Sequence, residues 1–264
     1  NDCIDMFADF FHLNNKIKMQ YFDEKMGGAR GYTPYKIETP KDGNHADLKE
    51  FWQMGRDLPL EHMYKKYMFD NYFASEITEF EIKIKELFSS FDQFGQQLMQ
   101  AIALYLKLDI DHFEDSINYG NSVLRAIHYP PIATEEPGER AGAHGDINLI
   151  TLLIGGHKPG LEILFENKWI PINTEHDTLV CNIGDMLERY TNHLLPSVIH
   201  RVTSHSDQTK GSSRYSIPFF LHPNPDWLIK TLPSCIDNDH PDLYPESIIA
   251  DDFLQKRLHE INLL

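Results

Sequence analysis

The chain has 264 residues, 41% of them hydrophobic and 12% aromatic, enough apolar material for a sizeable core and too much for a disordered protein. Forty acidic residues against 24 basic ones give a formal charge of −16, which argues against nucleic acid or an anionic membrane as a partner. Three cysteines, Cys3, Cys181 and Cys235, are odd in number and form no C-x-x-C, so they read as thiols of a reducing compartment. No apolar run reaches the roughly 18 residues of a membrane helix, and no signal peptide opens the chain. Cytoplasmic is the expected location. The first residue is Asn1 instead of Met, which suggests a trimmed start.

One domain is expected at this length, in three parts: a mainly helical 1–120, a β-rich core over 121–225, and a tail and helix over 226–264. "FADFFHLNNKIKMQYFDEKM" (7–26) carries apolar residues at helical spacing and stops before Gly27-Gly28. Residues 29 to 60 read as an irregular connection. The longest periodic segment is 76–109, where Ile77, Phe80, Ile84, Leu87, Phe88, Phe91, Phe94, Leu98, Ile102 and Tyr105 step by three or four, the stripe of a helix lying on a core.

From residue 122 the period changes to that of strands. "SVLRAIHY" (122–129), "INLITLLI" (147–154), "LEILF" (161–165), "WIPI" (169–172), "TLVCNI" (178–183), "PSVIHRVTS" (196–204) and "RYSIPFFL" (214–221) are short, β-branched or aromatic, and separated by turns such as "GGHKPG" and "SDQTKGSS". Such a run without intervening helices predicts a mainly β fold with supporting helices, its core a jelly roll. "SIIADDFLQKRLHEINLL" (247–264) predicts a closing amphipathic helix.

Four His-x-Asp triplets occur: His45-Ala46-Asp47, His144-Gly145-Asp146, His205-Ser206-Asp207 and His240-Pro241-Asp242. Residues two apart on a strand share a face, so His144 and Asp146 project together if they begin the strand that runs on to Ile154. The first triplet reads instead as a helix start, the third as a polar loop, and the fourth contains a proline. Two imidazoles and a carboxylate on one face suit non-haem Fe(II) and oxygen chemistry. His200, 54 residues past Asp146 (200 − 146), lies in a strand-like segment and is the candidate third ligand. His157, His176 and His193 fall in turn-like stretches and are weaker ones. A lone strand histidine is more often a core residue than a ligand. Fourteen residues further, "RYSIPFF" puts Arg214, Ser216, Pro218 and Phe220 on one face. An arginine pointing into a barrel needs an anion, and a guanidinium beside a hydroxyl suits a carboxylate.

H-x-D, a histidine some fifty residues on, and R-x-S together resemble the Fe(II)/2-oxoglutarate-dependent dioxygenases. The flanking pieces resemble their isopenicillin N synthase-like branch: "RGYTP", "DLKEFWQMGRDLP", "LRAIHYPP", "AGAHGDINLITLL", "GLEIL", "KWIPI", "NIGDMLERYTN", "SVIHRV" and "RYSIPFF", in order from about residue 30 to 221. The resemblance implies a double-stranded β-helix core. His144, Asp146 and His200 would hold Fe(II), and Arg214 and Ser216 would bind the distal carboxylate of 2-oxoglutarate. Tyr129, of the Y-P element, would line the site near cosubstrate or substrate, and Phe220 would line the substrate pocket. Ile127 stands where plant members carry an asparagine, and the short N-terminal strand usual in the branch is not evident. The implied activity is hydroxylation or desaturation of a small organic molecule, consuming O2 and releasing succinate and CO2. An oxidase on the same scaffold that needs no 2-oxoglutarate, and a jelly roll that binds a metabolite without catalysis, stay open at this stage. The segments "EFWQMGRDLP" and "LEHMYKKY" are expected to close over the barrel mouth.

Overall fold

In the computed structural model, which describes residues 2–39, 45–132, 137–155, 158–173, 178–203 and 211–260, two antiparallel sheets pack on one another. The larger has six strands in the order β1-β2-β3-β10-β5-β8, and the smaller has four in the order β4-β9-β6-β7. The strands of the larger sheet are β1 (Gly31–Thr33), β2 (Glu50–Gly55), β3 (Val123–Tyr129), β5 (Ile150–Ile154), β8 (Leu179–Ile183) and β10 (Arg214–Leu221). The smaller sheet holds β4 (Ala141–His144), β6 (Leu161–Phe165), β7 (Lys168–Pro171) and β9 (His200–Val202). A two-stranded ribbon, β11 (Leu228–Ile229) with β12 (Ile248–Ile249), precedes the last helix. This is the double-stranded β-helix expected from the strand pattern.

Helices cover the outer face of the larger sheet. Helix α1 (Asp2–His12) buries Met6, Phe7, Phe10 and Phe11, with acids in its first turn and His12 in its last, both favourable to its dipole. The helix predicted over 7–26 is in fact interrupted. Asn14 leaves the helix and accepts a hydrogen bond from the Lys16 amide, capping a short α2 (Asn15–Lys18), as asparagine does at helix starts.

Helix α3 (Phe80–Tyr105) is shorter than the predicted 76–109 and turned differently along its second half. It buries Phe80, Ile84, Phe88, Phe91, Gly95, Met99 and Ala103, whereas Phe94 and Tyr105 are exposed. The small residues explain the rotation: a side chain at Gly95 would meet Leu221 and Leu152, so the helix lies close to the sheet there. Phe91 stacks on Phe219 of β10 at 5.4 Å. Two further short helices, α4 (Glu114–Ile117) and α5 (Asp185–Tyr190), lead to the C-terminal α6 (Ala250–Glu260). No described helix is long and apolar enough to cross a membrane, and the three cysteines are free.

Two strands stand where the sequence suggested an irregular connection. All six residues of β2 are buried, because both faces are covered: Trp52 packs edge-on against Phe10 and Phe80 on the helical side, while Phe51 belongs to a second core between the sheets with Ile127, Tyr129, Ala141, Leu161 and Val202. Thus "EFWQMG" forms part of the barrel wall instead of a cover over the mouth. Tyr64, of the "LEHMYKKY" segment, is tied to Asp226 by its hydroxyl at 2.6 Å, and that segment does not line the cavity described below. His45-Ala46-Asp47 is not a helix start but an extended lead into β2. Parts of the "GGHKPG" and "SDQTKGSS" turns, His157, His176, the triplet at 205 and residues 261–264 lie outside the described residues.

Candidate metal centre

The space between the sheets holds a cavity of about 310 Å³. On β10, alternation works as predicted: Arg214, Ser216, Pro218 and Phe220 line it, while Ile217, Phe219 and Leu221 join the core on the helical side.

His144 and His200 stand opposite one another in the β4–β9 ladder, with ring centroids 4.4 Å apart. Asp146 is not on the strand that carries His144, as the sequence suggested. β4 ends at His144, and Asp146 lies in the link that carries the chain across to β5 in the other sheet. It reaches the same place from there. Its Oδ1 is 3.8 Å from His200 Nε2, and one donor atom from each of the three residues lies within 4.8 Å of the others. The three donors thus face one shared space, close enough to be drawn onto a single cation.

Hydrogen bonds aim each donor. His144 Nδ1 donates to the Gly142 carbonyl at 2.7 Å, and His200 Nδ1 donates to the Val198 carbonyl at 3.1 Å. Carbonyls only accept, so both protons sit on Nδ1 and both Nε2 lone pairs are left for a cation. The amide of Asn182, on β8, donates to Asp146 Oδ2, which leaves Oδ1 as the ligating oxygen. Asn182 opens the piece "NIGDMLERYTN" and is a polar residue inside the apolar strand "TLVCNI", but neither feature assigned it a role. Desolvation, then the neighbouring His200, push the His144 imidazole down to about 4, so it is neutral at ordinary pH. Burial works against the Asp146 carboxylate, but the two histidines and the donors around it outweigh this and hold it below its usual range. Two imidazoles and one carboxylate are the donor set that suits Fe(II) with open positions.

Arg214 is 3% exposed. Its Nε reaches the Lys158 carbonyl at 3.3 Å and its guanidinium lies 5.2 Å over the Tyr129 ring, with Tyr129 directly opposite it on β3. Its Nη1 is buried with no partner among the described residues. Buried donors are seldom left so, and the fit is to a carboxylate arriving in the cavity. Ser216, buried one pleat further along, presents its hydroxyl to the same space.

The remaining candidates do not join the centre. Asp47 accepts from the Gly142 amide and pairs with Lys49, which props β4 from behind. His193 stacks on Tyr244, and His240 pairs with Asp237 on the surface. A charged group absent from the sequence reading does line the cavity. Lys49 is bound by Glu38 and Asp47, each at 2.8 Å, and Glu38 also holds Arg125. Burial alone would raise Glu38, but Arg125 and Lys49 outweigh it and bring it to about 2.

Residues 120–223 match the model of the 2OG-Fe(II) oxygenase superfamily, and residues 1–76 match that of the non-haem dioxygenase in morphine synthesis N-terminal region. The chain is 51% identical to a putative 2OG-Fe(II) oxygenase family protein of Caulobacter crescentus, with a TM-score of 0.90 over 98% of this chain and 85% of that one. It is 26% identical to a full-length Neurospora crassa protein solved in complex with alpha-KG and thymine, at a TM-score of 0.83 over 98% of this chain and 82% of that one. It is 29% identical to the 2-oxoglutarate-Fe(II) type oxidoreductase hxnY of Emericella nidulans, over 92% of this chain and 72% of that protein. The chain belongs to the 2OG-Fe(II) oxygenase superfamily and is a non-haem, Fe(II)- and 2-oxoglutarate-dependent oxidoreductase.

Proposed function

We propose that His144, Asp146 and His200 hold the Fe(II), that Arg214 and Ser216 bind the distal carboxylate of 2-oxoglutarate beside Tyr129, and that a small organic substrate occupies the rest of the cavity against Phe220. The observation that carries this is the unpartnered Nη1 of a buried arginine, in the same cavity as the three convergent donors. Bound iron, with 2-oxoglutarate and dioxygen, supplies the oxidative decarboxylation to succinate and CO2 and the power to remove a hydrogen from the substrate. The protein's part is placement. Gly142 and Val198 fix the imidazole tautomers, Asn182 fixes the carboxylate, and Arg214 sets the direction from which the cosubstrate enters. The apolar walls, among them Leu153, Ile163 and Val202, exclude water and so strengthen each polar contact.

A cavity of about 310 Å³ lies at the small end of the roughly 300–1,000 Å³ range of ligand sites, and it must admit both cosubstrate and substrate. That supports a small molecule, as does the thymine complex of the Neurospora relative. The test is Asp146→Ala. Loss of bound iron by metal analysis, together with loss of succinate release in a protein that still unfolds cooperatively, is expected. Unchanged turnover would refute the assignment.

A further inference from the structure

Between its two pairings with β9, β4 carries one residue more than its partner. Ala141 stands opposite Val202 and His144 opposite His200, so β4 advances three residues where β9 advances two. All four line the cavity. Residues three apart on a regular strand point to opposite faces, so it is the extra residue, a bulge, that lets His144 face inward together with Ala141.

A bulge takes backbone groups out of the ladder, and a buried N–H among them needs another acceptor. The acceptor is a side chain 95 residues away: Asp47 Oδ1 receives the Gly142 amide at 2.9 Å. The carbonyl of the same Gly142 receives His144 Nδ1 at 2.7 Å. Both polar groups of Gly142 are thus engaged, one by Asp47 and the other by the histidine ring. Asp47 is held in turn. It is 6% exposed, its Oδ2 meets Lys49 Nζ at 2.8 Å, and its amide donates to the Glu38 carbonyl at 2.8 Å. The next amide, of Leu48, donates to the carbonyl of Glu139 at 2.9 Å, just before β4 begins. The aspartate of one His-x-Asp triplet therefore braces the histidine of another.

We propose that Asp47 is a positioning residue of the metal centre: by holding the Gly142 amide it fixes the bulge of β4, and the Gly142 carbonyl then fixes the ring orientation and tautomer of His144. Lys49 aims the carboxylate. The effect on metal binding rests on the reading of this centre as an iron site, whereas the tautomer of His144 is a property of the metal-free protein.

The test measures the two separately. Proton–nitrogen correlation spectra of metal-free protein carrying isotope-labelled histidine, at neutral pH, report the tautomer; the His144 signal is the one that His144→Gln removes. The wild type is expected to show the proton on Nδ1 alone, and Asp47→Ala a mixture of the two tautomers. Lys49 keeps Glu38 in that variant, so its ammonium is not stranded. Titration with Fe(II) under nitrogen is expected to find Asp47→Ala bound about tenfold more weakly, the low end of the roughly 10- to 100-fold loss on removing a group behind a metal ligand. Asp47→Asn keeps an acceptor oxygen for Gly142, and is expected to hold the wild-type tautomer and stay within a few-fold of wild-type affinity. Asp92→Ala breaks a comparably buried ion pair with Arg56, outside the cavity lining, and controls for lost stability alone. An unaltered tautomer in Asp47→Ala overturns the proposal, as does a loss of affinity no greater than that of Asp92→Ala, or Asp47→Asn falling as far as Asp47→Ala. A wild type whose His144 carries its proton on Nε2 overturns it without any variant. A wild type that binds no Fe(II) overturns the iron reading and the affinity part of this proposal, while the tautomer comparison still decides whether Asp47 orients His144.

Discussion

Replacing Arg214 by methionine should separate what the residue does for the fold from what it does for the cosubstrate. In the free protein its Nη1 is a buried donor without a partner among the described residues, and removing such a group recovers about 1–3 kcal/mol. Against this stand a long hydrogen bond to Lys158, contributing about 0.5–1.5 kcal/mol, and the contact with Tyr129, contributing about 0.5–2 kcal/mol. The two sides nearly cancel, so the variant is expected within about 1 kcal/mol of wild type when free of ligand. With 2-oxoglutarate the balance changes. A hydrogen bond to a charged group contributes about 1.5–3 kcal/mol, which at 1.4 kcal/mol per decade is a roughly ten- to 150-fold weaker Kd. At a ligand concentration one hundred times the wild-type Kd, the wild type gains about 2.7 kcal/mol of stability, and a variant bound one hundredfold more weakly gains only about 0.4 kcal/mol. Urea unfolding under nitrogen, with Fe(II) and with or without 2-oxoglutarate, measures both quantities. A free variant several kcal/mol less stable than wild type, or one stabilised by the cosubstrate as fully as wild type, would refute the reasoning.

Asn182→Ala removes the donor that orients Asp146 and is expected to lower metal affinity about 10- to 100-fold with little change in helix content, as measured by metal titration and circular dichroism. His222, which burial pushes down to about 4, titrates near 6.5 when unfolded. Between these values the unfolded chain binds more protons, so stability falls as pH drops through that window, by roughly 3 kcal/mol; His222→Gln should flatten the pH dependence of the urea midpoint by a corresponding part. Glu50 joins Lys18, Tyr32 and His128 in one buried cluster. Glu50→Ala strands the Lys18 ammonium and is expected to cost about 3–5 kcal/mol in chemical denaturation, and a loss below about 1 kcal/mol would mean the pair is solvated.

The chemistry-bearing face of β10 was legible because a period of two leaves no freedom: once Arg214 points inward, Ser216 and Phe220 follow. His144 and His200 were legible as histidines in strand-like segments, although the reason given for Asp146, a shared strand, does not hold. β2 was illegible because alternation appears only when one face meets water, and both of its faces are covered. Helix α3 was placed correctly but rotated wrongly, since large apolar residues draw attention and the close approach to the sheet is made by Gly95 and Ala103. Asn182, Lys49 and Arg125 lie in the stretches "NIGDMLERYTN", "DLKEFWQMGRDLP" and "LRAIHYPP", but no local pattern assigns any of them a role. Each acquires its role only from partners far away in the chain: Asp146 lies 36 residues from Asn182, and Glu38 lies 87 residues from Arg125.

The pairing of His144 with His200 across β4 and β9 has a bearing on how such chains can diverge. Rungs of a ladder are held by the strands, and of the intervening stretch only the turns between β5, β6, β7 and β8 can change length without disturbing them. A one-residue slip of β9 against β4, which would turn His200 to the opposite face, dismantles the pair. What sets the two rings side by side is the register of the ladder, not the count of residues between them.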